Sequence, residues 1–346
     1  MRPVDVALNF SQAPQTSAPL LLHPAVQWEA ALPLGPFATH AGSIWAIESG
    51  QVHHWDGKQW QHWPLALQDV RPATDAALAV LPDGKLLYAF MDQAQSHFRW
   101  LKHLGRASRN TRSPIYLVRS EDEGKSWSAP QLIQDGYSGS VRSMVVLESG
   151  RVVLSSQYLL PQQGRYVSLT YYSDDGGHHW QASNWLDAGG RGHHDGAIEG
   201  YLLPLKDGRL WYLLRTNWDR FWNAYSQDAG ATWTHTKIGL PASSSPGALL
   251  RLQDGRIVLA YNPVGDNPPR RAGAFSQRAA SWYRAELCLR ISADEGTSWS
   301  APVTVARCDD AWLSYPHLVE PEKGRIWLTT MHSGLRLNMK VEDMFA

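Results

Sequence analysis

An aspartate, a glutamate and a tyrosine recur at one position of a repeated pattern in this chain. Six glycines open turns just ahead of apolar runs: Gly50, Gly84, Gly150, Gly208, Gly255 and Gly324. Nine residues before each stand Ala41, Asp75, Val141, Glu199, Pro246 and Tyr315, with Arg142 one place after Val141. Seven residues after each stand Gly57, Met91, Gln157, Arg215, Asn262 and Met331. If the fold brings matched positions to one mouth, these side chains can do chemistry. Two carboxyl groups divide acid and base work when their surroundings separate their pKa values. A tyrosine beside a carboxylate can lose its proton as it attacks an anomeric carbon. Arginines grip a carboxylate with a two-pronged fork.

Each residue taken singly also has a plainer role. Tyr315 could pack as an aromatic, Asp75 could serve a strand-start turn, and Arg215 could form a rim ion pair. Glu199 is harder to explain away. It opens the apolar run IEGYLLPL, where a buried acid needs a partner. The loop entering that run carries His193, His194 and Asp195, whose polar groups suit sugar hydroxyls, as do the amides of Gln157 and Asn262. His317 and His332 flank Tyr315. No spacing joins these histidines to a carboxylate in a metal-ligand pattern, and no metal or cofactor is expected.

The elements that must position these groups are legible as repeats. Ser-x-Asp-x-Gly-x-x-Trp occurs four times, ending at Trp127, Trp180, Trp233 and Trp299. Each copy follows a strand-like run such as IYLVR or LCLRI. Asp folds back on the turn, Gly takes positive φ and Trp packs beneath it. With the six glycine turns, each between short apolar strands, this predicts an all-β fold: a six-bladed β-propeller of about four strands per blade. The four tryptophans should pack on outer strands, away from the mouth. We expect an N-terminal arm over residues 1–25 and a single propeller over 26–346. The final run LRLNMKVEDMF alternates and could close the ring against an N-terminal strand such as VDVALNF. Two long loops, FMDQAQSHFRWLKHLGRASRN and NPVGDNPPRRAGAFSQRAASWYR, should build a specificity wall on one face.

Composition narrows the classes. Of 346 residues, 43% are hydrophobic and 18% charged, so a large core is possible. Formal net charge is zero, so nothing favours nucleic acid, whose binding usually needs a basic patch. No apolar run approaches a membrane span. The start, MRPVDVALNFSQAPQ, lacks the charged-then-apolar pattern of a secretory leader. The expected location is cytoplasmic, or secreted if a leader has been removed. Two cysteines, Cys288 and Cys308, make no disulfide framework.

The Ser-x-Asp-x-Gly-x-x-Trp repeat is the Asp-box of the sialidase superfamily, and from about residue 71 the chain resembles a divergent member. IEGYLLPLKDGRLWYLLRT resembles the stretch in which Glu opens one strand and Arg ends the next. YRAELCLRISADEGTSW resembles the one that places a further arginine, here Arg284, eight residues before the Asp-box serine. WLSYPHLVEPEKGRIW resembles the one that carries the nucleophilic tyrosine. The resemblance implies that Glu199 activates Tyr315 while Arg215 and Arg284 hold a substrate carboxylate. Two family groups are missing from register. Thr74 stands where an arginine of an Arg-Ile-Pro motif would, with Arg71 before Pro72 nearby. The loop SRNTRSPIYLV lacks the expected acid. The blade alignment offers Arg142 and Asp75 in their place. The expected activity is an exo-glycosidase releasing a terminal acidic sugar, sialic acid or a related nonulosonic acid, from a glycan or glycoconjugate. The alternatives are a lyase or other glycosidase acting on uronic-acid glycans, and a non-catalytic glycan-binding propeller.

Overall fold

The strands follow the turn glycines around a ring. The computed structural model describes all residues except 11–12, 267–269, 273–278 and 346. Among the described residues the strands form six antiparallel blades, spanning 37–64, 72–134, 144–182, 197–241, 248–307 and 316–340. The first strand of each blade contacts the first strand of the next, and the sixth contacts the first, so the ring closes. Both faces of a blade lie against neighbouring blades. That is why second strands such as Leu86–Asp92 and Leu210–Thr216 are buried along their whole length and read as apolar runs without alternation. No helix among the described residues is long and apolar enough to cross a membrane.

Closure differs from the sequence expectation. The last strand, Arg336–Lys340, pairs with Gln27–Trp28 rather than with VDVALNF. Leu20–Leu22 and Arg2–Val4 instead extend the outer edge of blade five, beyond Val303–Arg307. Two residues suffice for the closing strand, because Trp28 packs into the large cluster between blades five and six.

Blade one also departs from the glycine register. Its first two strands, Phe37–His40 and Ser43–Glu48, meet at Ala41–Gly42, whose φ values are 49° and 84°. Gly50 joins the second strand to the third, Gln51–Trp55. Ala41 therefore sits in the turn on the far face, not at the mouth.

The four Ser-x-Asp turns are built alike. In the first, Ser120 Oγ donates to Asp122 Oδ1 at 2.8 Å and accepts from Gly124 N at 2.7 Å. Trp127 Nε1 donates to Gly124 O at 3.0 Å. Trp180 and Trp299 repeat that bond at 3.0 and 3.2 Å, while Trp233 donates to Thr170 Oγ1 at 2.9 Å. Each turn also presses on the preceding blade. A Cβ on Gly230 would lie 2.9 Å from Val153 of blade three, and one on Gly296 would lie 2.8 Å from Trp211 of blade four. The repeats thus staple consecutive blades together at the outer strands.

The opposite face carries the starts of the first strands and the longer loops. Residues 93–114 fold there as a small hairpin, Trp100–Leu101 with Arg106–Ala107. It leans on the loop entering blade four, where Arg191 Nη2 donates to Leu104 O at 3.1 Å. The second long loop of the expected wall falls partly on 267–269 and 273–278, outside the described residues.

Candidate active site

Glu199 lies near the start of the first strand of blade four, Ala197–Pro204, and Tyr315 directly precedes that of blade six, Pro316–Glu322; both hold left-handed backbone, at φ 48° and 63°. Non-glycine residues adopt this conformation at a cost, and such positions cluster where a side chain must be re-aimed. After Glu199 the strand register shifts between Ile198 and Tyr201, so the side chain turns toward the ring axis. Gly200 makes this possible, since a Cβ there would lie 2.1 Å from Tyr212 Cε2. Glu199 N donates to Gln157 Oε1 at 2.7 Å, which fixes the bend from blade three.

The two side chains meet across the channel. Tyr315 Oη donates to Glu199 Oε1 at 2.7 Å. Arg215 Nη1 donates to Glu199 Oε2 at 2.5 Å and to Tyr315 Oη at 3.2 Å. Ser244 orients two arginines at once. Its Oγ accepts from Arg215 Nη2 at 3.0 Å, and its carbonyl accepts from Arg284 Nη2 at 2.7 Å. Arg284 is 3% exposed, with its guanidinium over the rings of Trp312 at 4.6 Å and Trp282 at 5.2 Å. It also lies 5.6 Å from the Tyr315 ring, and Arg142 lies 5.2 Å from the same ring. All three arginines therefore surround the tyrosine inside a chain of zero net charge.

Asp75 reaches the same centre from blade two. It accepts from Arg142 Nη1 at 2.9 Å and from Ser140 Oγ. Arg142 Nη2 donates to Pro316 O at 2.8 Å, next to the tyrosine. Both residues are almost fully buried. Arg142 thus answers an acid of the chain itself, as Arg215 answers Glu199.

These surroundings push the titrations apart. Desolvation raises the Asp75 carboxyl above its ordinary value, against the opposing pull of Arg142 and Ser140. Desolvation also works on Glu199, but Arg215, the tyrosine hydroxyl and Arg284 outweigh it and hold that carboxyl below its ordinary value. Burial and the Glu199 charge push the Tyr315 phenol well up, so it carries its proton at rest. An ionised carboxylate thus faces a protonated phenol at hydrogen-bonding distance, with a second carboxyl of raised pKa nearby, paired to Arg142.

The remaining sequence candidates divide between wall and scaffold. His193 meets the Tyr166 hydroxyl at 3.2 Å and the Phe98 ring at 4.4 Å. Burial and Arg215 lower it to about 4, so it is neutral near pH 7. His194 stands edge-on to Trp282 at 5.0 Å. Asp195 accepts from Arg191 N at 2.9 Å and Asn217 Nδ2 at 3.1 Å, pinning the loop that carries both histidines. Asn262 spends its amide on Glu286 O, Leu313 O and Ser245 Oγ at 2.7–2.8 Å, tying blade five to the loop before Tyr315. Gln157 supports Glu199 as described. Sequence reasoning missed Ser244, Trp282 and Trp312. The alternation Trp282-x-Arg284 was a usable signal for one of them, because residues two apart on an extended segment share a face. His332 packs 4.4 Å from the Tyr315 ring, bonded to Ser314 Oγ at 2.9 Å, and is lowered to about 3 by burial and Arg284. No group of three His, Cys, Asp or Glu among the described residues is arranged to hold a metal ion.

Comparison with known proteins decides the family. A BNR repeat-like domain matches residues 44–328. The chain belongs to the BNR repeat-like family. Within it this propeller is a divergent, sialidase-like member. It is 24% identical to a sialidase of Bacteroides fragilis over 212 residues, which cover 58% of this chain and 36% of that one. The chain spans about a third of the length of the curated relatives it matches. Among solved structures it resembles a protein of unknown function from Dyadobacter fermentans, with TM-score 0.60 and 18% identity over 91% of this chain and 98% of the other. It also resembles Trypanosoma rangeli sialidase in complex with sialic acid, with TM-score 0.57 and 14% identity over 92% and 59%. At these identities the structural likeness speaks for the BNR-type propeller fold.

Proposed function

We propose that this BNR repeat-like propeller is a retaining exo-glycosidase that releases a terminal acidic sugar, a sialic acid or related nonulosonic acid, from a glycan. One observation carries the reading: Tyr315 donates to Glu199 at 2.7 Å while Arg215 donates to both. A phenol is a poor nucleophile while neutral, so a base must take its proton as the bond to the anomeric carbon forms. Glu199, held ionised, is placed to do so, and Arg215 stabilises both the carboxylate and the developing phenolate oxygen. A tyrosine suits an acidic substrate because it begins uncharged. An aspartate nucleophile would repel the carboxylate that Arg284 and Arg215 attract.

Asp75 takes the role of acid in this reading. It gives its proton to the leaving oxygen in the first step. In the second it takes a proton from the water that frees the sugar from Tyr315, and the released phenolate recovers its proton from Glu199. Burial raises its pKa, the direction an acid needs, while Arg142 pulls the other way.

The test is hydrolysis of a fluorogenic α-ketoside of an acidic sugar. Turnover should show an acid-side bell. The rate rises with pH as Glu199 ionises, below the ordinary glutamate range. It falls as Asp75 loses its proton, above the ordinary aspartate range. Asp75→Asn should remove most turnover of natural glycosides, about 10²-fold or more. It should largely spare substrates with good leaving groups. Ultraviolet absorbance from a conjugated unsaturated uronate would point to elimination and reject the hydrolase.

A further inference from the structure

Beside the catalytic centre, between blades one, two and six, lies a cavity of about 380 Å³. Ligand pockets commonly run to roughly 300–1,000 Å³. It borders the centre on two sides. Thr74 is adjacent to Asp75 in the chain, and Met331, another wall residue, donates its N–H to Tyr315 O at 3.0 Å. We infer that this cavity is a subsite for a second sugar residue of the glycan, one carrying an anionic group, carboxylate or sulfate, met by Arg71.

Charge selects the ligand class. Among the lining residues Glu48 is already committed, since it accepts from Arg336 Nη2 at 2.7 Å and from Leu34 N at 3.0 Å. Arg71 is exposed and makes no ion pair among the described residues. Its backbone is fixed at both ends. Arg71 N donates to Asp92 Oδ1 at 2.9 Å, and Arg71 O accepts from Gln93 N at 2.8 Å. The nearby acid, Asp92, is fully buried and answered by three donors, Arg71 N, Ala94 N and Gln95 Nε2. The open charge at the rim is therefore positive, on an anchored stem, and a guanidinium fork can meet two oxygens of a carboxylate or of a sulfate.

The walls suit a sugar. Met331, Tyr88 and Ile47 present apolar surface for ring C–H faces, and Thr74 adds a small polar residue to the lining. Thr74 is also short. A large side chain at that position would take up part of the cavity.

This subsite rests on the glycosidase reading, and its test separates the two. Galactose, galactose 6-sulfate and galacturonate are titrated by calorimetry into the wild-type chain, Arg71→Ala and Arg71→Glu. In parallel, KM is measured for two ketosides of an acidic sugar on galactose, one with and one without a 6-sulfate. Wild type should favour the anionic sugars by about tenfold, as expected for a charge-assisted contact. Arg71→Ala should erase that ratio and Arg71→Glu should invert it. Thr74→Trp should weaken neutral and anionic sugars alike by filling the cavity. The sulfate and uronate arms tell which anion is preferred. Equal affinity for neutral and anionic sugars in the wild type overturns the subsite, as does a ratio untouched at Arg71. If hydrolysis fails while Arg71-dependent binding persists, the glycosidase reading falls and the subsite stands. If hydrolysis proceeds without that binding, the reverse holds.

Discussion

Tyr315→Phe should abolish turnover of acidic ketosides, by about 10³-fold or more in kcat, while ligand affinity changes little. The substitution removes one oxygen. That oxygen donates to Glu199 at 2.7 Å and accepts from Arg215 at 3.2 Å. The ring itself stays between its neighbours, 4.4 Å from His332 and 5.2 Å from Arg142. Glu199 keeps its ion pair with Arg215, so no buried charge is stranded and the fold should survive. Single-turnover kinetics and equilibrium binding of the released sugar separate the two effects. If the phenylalanine variant turns over within tenfold of wild type, another group forms the bond to the sugar.

Arg284→Ala should fall chiefly on recognition of the substrate carboxylate. A buried, hydrogen-bonded charge that meets an opposite charge is worth about 2–5 kcal/mol on truncation. That equals about one and a half to three and a half orders of magnitude in affinity. The flanking indoles and the Ser244 carbonyl hold this guanidinium in place before any ligand arrives, which limits the ordering cost of binding. Lysine should restore charge but not the planar fork, so Arg284→Lys should recover only part of the loss. The comparison to make is binding of an acidic sugar against its reduced, neutral counterpart. Equal losses for both would mean that the arginine shapes the site without reading the carboxylate.

The glycine turns made much of this site legible. Because five of the six mark the same bend between first and second strands, counting from them reached Glu199, Tyr315, Arg215 and Asp75 across more than two hundred residues of chain. Blade one escaped the count because its equivalent bend, His40–Ser43, has Ala41 before its glycine, where the other five have a polar residue (Asp83, Ser149, Asp207, Asp254 and Lys323). Ring closure was hidden for a different reason: two residues, Gln27 and Trp28, carry no periodicity. The left-handed backbone of Glu199 and Tyr315 was not legible either. Nothing in either residue type favours positive φ, and the surrounding packing imposes it. Pairing across the channel was likewise out of reach. Arg142 could be placed near the centre by register, but its commitment to Asp75 and Pro316 depends on blades two, three and six meeting at the axis.

The central claim is that Tyr315 bonds to the sugar. A fluorinated ketosyl fluoride tests it most directly, because fluorine beside the anomeric carbon slows release of the sugar from the enzyme more than its capture. The treated chain would be digested and its peptides weighed by mass spectrometry. The account predicts one added sugar on the peptide that contains Tyr315, absent from Tyr315→Phe. An adduct on Glu199 or Asp75, or turnover of the reagent with no adduct at any residue, would contradict it.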